Sequence, residues 1–246
     1  GDFFMRIYFR GNLYGCNQAT AFVEDRGKII FIGSDKEALK YSGEQIDLNN
    51  KYVYPGFNDS HMHLVNYGQS LKNVLLEKHT NSLKALLEEL KKHLVKGQWL
   101  IGRGWNHDYF TDEQRFPTRK DLDMISEEEP IVITRTCGHI LVANSKAIEL
   151  ANITSEAVEG GYFDLDAGLF QENALYLIYD TIPQPTIEEI KDNILIAQKE
   201  LHSYGITSVQ SDDLLSATSD YHDALQAFEQ LRAENKLTIR VYEQAQ

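Results

Sequence analysis

Cysteine is scarce in this chain, and its two copies, Cys16 and Cys137, stand far apart without forming a Cys-x-x-Cys pair. That spacing gives neither a zinc ribbon nor a disulfide framework, and a reducing cytoplasm is the plainest setting for it. Basic residues are also short, with 24 Lys and Arg against 37 Asp and Glu, for a formal charge of −13. A chain of that sign is repelled by phosphate backbones and anionic lipid, which argues against nucleic-acid and membrane partners. No apolar run approaches the roughly 20 residues that span a bilayer. The opening Gly1-Asp2-Phe3-Phe4-Met5-Arg6 lacks the basic-then-apolar order of an export signal, and Gly1 to Phe4 read as a remnant ahead of a native Met5. A Gly-x-Ser-x-Gly elbow, a glycine-rich phosphate loop and an internal repeat are missing as well, so covalent serine and phosphate-loop chemistries have no support.

What is present fits a globular α/β protein. With 246 residues, 42% of them hydrophobic, there is ample material for a core. Met5, Ile7 and Phe9 alternate with Arg6, Tyr8 and Arg10, the period of a half-buried strand. Ala21 to Val23 and Lys28 to Ile32 flank Glu24-Asp25-Arg26-Gly27, a hairpin whose turn can use Gly27 at positive φ. A short helix is expected after Gly33, and strands at Gln45 to Leu48 and Tyr52 to Tyr54. Beyond Pro55-Gly56 the texture changes to helices alternating with short apolar strands. Leu83, Leu86, Leu87, Leu90 and Leu94 mark one face of a helix over 82–96 that Gly97 is placed to end. Trp99 to Gly102 and Ile131 to Thr134 suit buried strands. Thr186 and Glu189 form a capping box ahead of a helix ending near Gly205, followed by a strand at 206–210, a last helix carrying Leu225, Phe228 and Leu231, and a strand at 238–242.

The chemistry concentrates in one segment, Val53-Tyr54-Pro55-Gly56-Phe57-Asn58-Asp59-Ser60-His61-Met62-His63-Leu64. Residues two apart on a strand share a face, so His61 and His63 can offer imidazole nitrogens to one metal ion, and Asp59 is placed to orient a ligand imidazole. An isolated His-x-His is more often a pair of ordinary surface or packing histidines. This one follows Pro-Gly-Phe and Asp-Ser, and the run resembles the PGF-x-D-x-H-x-H signature of the amidohydrolase superfamily. Gly102-Arg103-Gly104-Trp105-Asn106, Phe116-Pro117-Thr118-Arg119, Arg135-Thr136-Cys137-Gly138-His139, Val142-Ala143-Asn144-Ser145, Gly168-Leu169-Phe170-Gln171-Glu172 and Gly205-Ile206-Thr207-Ser208-Val209 look like the amidohydrolase family 3 branch that includes N-substituted formamide deformylase.

The resemblance implies part of a distorted (β/α)8 TIM-type barrel with an N-terminal β-sandwich segment. Residues 1–54 would be the N-terminal part of the sandwich, and 55–246 the N-terminal portion of the barrel with an inserted α/β segment around 98–185. It implies a divalent metal, zinc first, with iron, manganese or nickel also suited to such ligands. The substrate would be a small N-substituted amide, and a homodimer is compatible with the pattern. In such enzymes the ion polarises the carbonyl and lowers the pKa of water to about 7, and an acid or base protonates the leaving amine. The remaining ligands and the general base are expected beyond residue 246. The alternative is a catalytically incomplete binding or regulatory module, since two imidazoles fall short of the three protein ligands of catalytic zinc.

Other candidates carry bland readings beside functional ones. Trp105, Asn106 and His139 follow strand ends and are either pocket groups or packing residues. Glu172 is either a metal ligand or a helix cap, with capping preferred. Asp212 and Asp213 follow a strand, where catalytic groups sit in barrels, but paired acids before a helix are ordinary caps, and that is the preferred reading. His79, His93, His202 and His222 lack partners at ligand spacing and read as solvated or structural.

Overall fold

The alternation at the start of the chain becomes strand β1 (Met5–Phe9), whose inward Ile7 is fully buried. The computed structural model describes residues 5–79, 81–154, 156–214 and 220–244, so the expectation for Gly1 to Phe4 lies outside the described residues. The chain divides into a unit of Gly1–Asn58 and a unit of Asp59–Gln246.

In the first unit β1 is followed by β2 (Asn12–Leu13), β3 (Ala21–Asp25), β4 (Lys28–Gly33), α1 (Asp35–Ala38), β5 (Glu44–Asp47) and β6 (Tyr52–Val53). The four-stranded sheet runs β4-β3-β1-β5, antiparallel except where β1 meets β5, and β2 pairs with β6 in parallel. The β3–β4 turn places Gly27 at φ +80°, as its sequence demands. Ile7, Ala21, Val23 and Ala38 make the small core.

The second unit takes over along β7 (Phe57–Met62), which leads into α2 (Leu64–Lys72). Then come β8 (Val74–Leu75), α3 (Leu83–Lys92), β9 (Leu100–Trp105), α4 (Arg119–Asp123), β10 (Ile131–Arg135), β11 (Ile140–Ala143), α5 (Ser145–Ala151), β12 (Gly161–Asp164), β13 (Leu169–Glu172) and α6 (Tyr176–Tyr179). These strands form a six-stranded sheet in the order β12-β13-β11-β10-β9-β8, parallel over β8–β9–β10 and antiparallel thereafter. Strand β10 is buried on both faces: Ile131 and Ile133 join the cluster beneath α3, while Val132 joins the one around α5 and α6. That explains its unbroken apolar run.

Helix α3 is shorter than its leucine periodicity predicts. It ends at Lys92, with the His93 N–H on the Leu90 carbonyl at 3.0 Å, and Gly97 at φ +75° serves a later turn instead of stopping the helix. Leu94 packs on the same cluster as the helix leucines, which keeps it apolar although it has left the helix.

The chain closes with α7 (Ile187–Ser203), β14 (Ile206–Ser211), α8 (Tyr221–Ala233) and β15 (Arg240–Glu243). The Thr186/Glu189 capping box starts α7. Its Ile190, Ile194, Ala197 and Leu201 face Leu64 and Val65 of α2 and Phe228 and Leu231 of α8 in one core. A three-stranded sheet, β15-β14-β7, lies with them. The architecture is thus mixed α/β, and the strands of the second unit lie in open sheets; no closed barrel is formed among the described residues.

Candidate metal centre

Strand β7 stops one residue before His63, so the simple picture of two histidines on one strand face needs correction. His61 is on the strand, whereas His63, at φ −119° and ψ 89°, is the N-cap residue of α2. The chain turn still brings the rings together, at 5.6 Å between centroids with planes inclined by 75°.

An N-cap residue ordinarily uses its own side chain to satisfy the first free helix N–H groups. His63 makes no such bond. The duty passes to the end of β14: Leu64 N–H donates to Ser211 Oγ at 2.8 Å, and Val65 N–H donates to Asp213 Oδ1 at 2.9 Å. Ser211 Oγ–H donates in turn to Asp213 Oδ2 at 2.6 Å. A carboxylate at a helix N-terminus is also favoured by the peptide dipoles. With capping supplied from β14, the His63 imidazole bonds the Asp212 carbonyl oxygen through Nδ1 at 2.6 Å. A ring nitrogen held by a backbone carbonyl is the usual backing of a metal-bound histidine.

Among the described residues no bond from Asp59 to a histidine ring is seen. Asp59 Oδ1 accepts from the backbone N–H of His61 at 3.2 Å, a contact within its own strand. Asp212 contributes main-chain groups, its N–H bonding the Met62 carbonyl at 3.0 Å and its carbonyl holding His63. Asp213 is a cap, as paired acids suggested, but for α2 across the sheet, while Asp220 caps the helix that follows.

Glu243 is the functional-site residue that the sequence did not single out. It lies opposite Ser211 in the β14–β15 register, and its Oε2 accepts from Asp213 N–H at 3.3 Å. Burial first, then the Asp213 charge, pushes its carboxyl up to about 8. Burial likewise raises Asp213, against the hydrogen bonds from Ser211 and Val65 that hold it down. Two carboxyls this close hold a proton between them at neutral pH. The only sequence signal was an acidic residue on an otherwise ordinary strand.

That proton has a consequence for stability. A glutamate whose folded pKa of about 8 exceeds the ordinary 4.5 binds more proton when folded than when unfolded between those values. Stability therefore falls as pH rises from about 4.5 to about 8. Glu243→Gln keeps an acceptor for Asp213 N–H without the charge. We expect its melting temperature to fall less between pH 5 and pH 8 than that of the parent. Parallel profiles in thermal denaturation would remove the shared proton from this account.

The remaining candidates have partners of their own. Trp105 is fully buried in the core with Phe116 at 5.6 Å, so it lines no open pocket. Asn106 Oδ1 accepts from Asp108 N–H and Arg135 Nη2, a loop-fastening role. His139 pairs with Glu172 at 2.9 Å on the surface; Glu172 makes no side-chain cap, contrary to the reading preferred from sequence, because its carboxylate is engaged by His139. His93 meets Glu89, His202 bridges Ile206 and Thr238, and His222 meets Asp220, all structural contacts. The side chain of His79 lies outside the described residues. No group of three or more His, Cys, Asp or Glu that could hold a metal occurs among the described residues, and no described helix is long and apolar enough to cross a membrane.

The chain belongs to the amidohydrolase family, whose model matches residues 44–246. It is similar to YtcJ of Bacillus subtilis (strain 168), named as an amidohydrolase, with 31% identity over 241 residues that cover 93% of this chain and 45% of YtcJ. It is also similar to the N-substituted formamide deformylase of Arthrobacter pascens, at 30% identity over 157 residues, 60% of this chain and 29% of that protein. Among solved structures, an uncharacterized metal-dependent hydrolase from Pyrococcus furiosus superposes with a TM-score of 0.76 at 31% identity, covering 97% of this chain and 49% of the other. The chain thus spans about half the length of YtcJ and of that hydrolase.

Proposed function

We propose that this chain is part of a divalent-metal-dependent hydrolase that opens the C–N bond of small N-substituted amides, its fold completed elsewhere as a distorted (β/α)8 barrel. The observation that carries the reading is the His63 imidazole, held through Nδ1 by the Asp212 carbonyl with the His61 ring beside it. Two clustered imidazoles, one backed by a carbonyl, are a donor set that suits zinc, and also iron, manganese or nickel. Such an ion supplies Lewis acidity toward an amide carbonyl and acidifies water. Family membership and the name of the deformylase relative support the amide class.

The chain's own residues do the positioning. Asp212 fixes the tautomer and direction of His63, while Ser211 and Asp213 hold the first turn of α2, and with it the backbone of His63. Asp213 and Glu243 keep a proton beside that turn. Ser211→Ala leaves the buried Leu64 N–H without its acceptor, a cost of about 1–3 kcal/mol. We expect metal affinity to drop about 10-fold or more with it, read by competition with a chelating dye. An unchanged affinity would detach Ser211 from the centre.

The function itself is tested by offering N-benzylformamide, N-benzylacetamide and benzyl acetate to the full-length protein and following free amine or alcohol. Amine release that stops on chelation and returns with added metal is the expected result. Cleavage of the ester alone, or turnover indifferent to chelation, would reject the reading. Metal binding without turnover of any of the three would favour the binding-module alternative.

A further inference from the structure

A cavity of about 600 Å³ lies within the second unit between α2, α7, the middle of β9, Thr134 of β10 and the stretch from Tyr179 to Pro185. Its size is that of a small-molecule site. Its polar lining is rich in donors. Lys72 and Arg103 line it in a chain of net charge −13, and Lys72 is close enough to Glu189 to help hold that carboxyl below its ordinary pKa. Gln69 also lines it, with Oε1 accepting from buried Asn193 Nδ2 at 2.8 Å, so the amide group left to Gln69 is its donor, Nε2. The hydroxyls of Thr134 and Tyr179 bond each other at 2.8 Å, and two hydroxyls sharing one hydrogen bond keep one hydrogen to give.

Among the described residues on the lining the acidic group is Glu189, whose Oε2 already accepts both the N–H and the hydroxyl of Thr186 in the capping box that starts α7. The wall is completed by apolar Val65, Ile101 and Ile182. Cationic side chains, spare donors and aliphatic surface together match a carboxylate that bears an apolar body, even though buried Asn193 Oδ1 adds an acceptor without a partner to the same wall.

We propose that this cavity binds a small aliphatic carboxylate, anchored by Arg103 and Lys72. Nothing in the proposal passes through the histidine pair, so it does not depend on the hydrolase reading. The probe is hexanoate, titrated calorimetrically into the full-length protein, with hexanamide as its uncharged counterpart and inorganic phosphate as an oxyanion without an apolar body.

Saturable one-site binding of hexanoate is expected, with hexanamide at least 10-fold weaker and phosphate competing at least 10-fold more weakly. Arg103→Gln, at an exposed position where folding is not at stake, should weaken hexanoate about 10-fold, and Lys72→Gln should weaken it too. Binding should survive removal of metal by chelation within twofold. No saturable binding, equal binding of hexanamide, equal competition by phosphate, or indifference to Arg103→Gln would overturn the assignment. Loss of binding on chelation would do so as well, since the carboxylate would then be a metal ligand, and that result would leave the hydrolase reading standing.

Discussion

Full-length protein carrying His61→Ala together with His63→Ala is expected to lose its tightly bound divalent ion while keeping its fold. His61 is exposed and His63 half-buried, and the described first turn of α2 is held by Ser211 and Asp213, not by either imidazole. Removing the rings therefore takes away ligands without taking away caps. A complete site in this class needs at least three protein ligands, and losing two should lower affinity by several orders of magnitude. Elemental analysis after dialysis, beside circular dichroism of the same sample, reads both halves of the expectation. Metal content equal to that of the parent would refute the site.

The largest effect on stability is expected at Gly68. Helices α2 and α7 approach so closely there that an added Cβ would stand 2.0 Å from the Asn193 carbonyl oxygen and 2.5 Å from its carbon. Both atoms belong to the main chain of α7, so no side-chain rotation relieves the clash, and the helices must separate. Separation strips contact from Leu64 and Val65 on one side and Ile190 and Ile194 on the other, the centre of that core. Overpacking of a core typically costs about 1–3 kcal/mol, and rigid backbone puts Gly68→Ala at or beyond the upper end. For a chain of this size that is a fall of roughly 10 °C in melting temperature. Gly97→Ala is the comparison: it meets nothing within 4 Å and carries only the strain of φ +75°. If Gly68→Ala melted no lower than Gly97→Ala, the close helix contact would be wrong.

Most elements were legible because their signals are local. The capping box at Thr186, the leucine face of α3, and the alternation of β1 each depend on residues within a few positions of one another. The run from β11 to β13 was less legible, because Ile140–Ala143 and Leu169–Glu172 become strands by pairing with each other across an intervening helix. Contacts of that span leave no period to read. Glu172 shows the same limit: its sequence setting suggested a cap, and its partner proved to be His139, 33 residues away.

The sequence by itself singled out His61 and His63 as candidate ligands, through their spacing after Pro-Gly-Phe, and it determined the α/β texture through periodicity. Tertiary structure decided how those imidazoles are aimed. His63 does not cap the helix that it begins, because Ser211 and Asp213, almost 150 positions later, do so, and its Nδ1 bonds the Asp212 carbonyl instead. Glu243 gains its raised pKa only where folding buries it against Asp213. Both effects arise from desolvation and unpaired helix N–H groups, properties that belong to a residue's surroundings and not to its place in the chain.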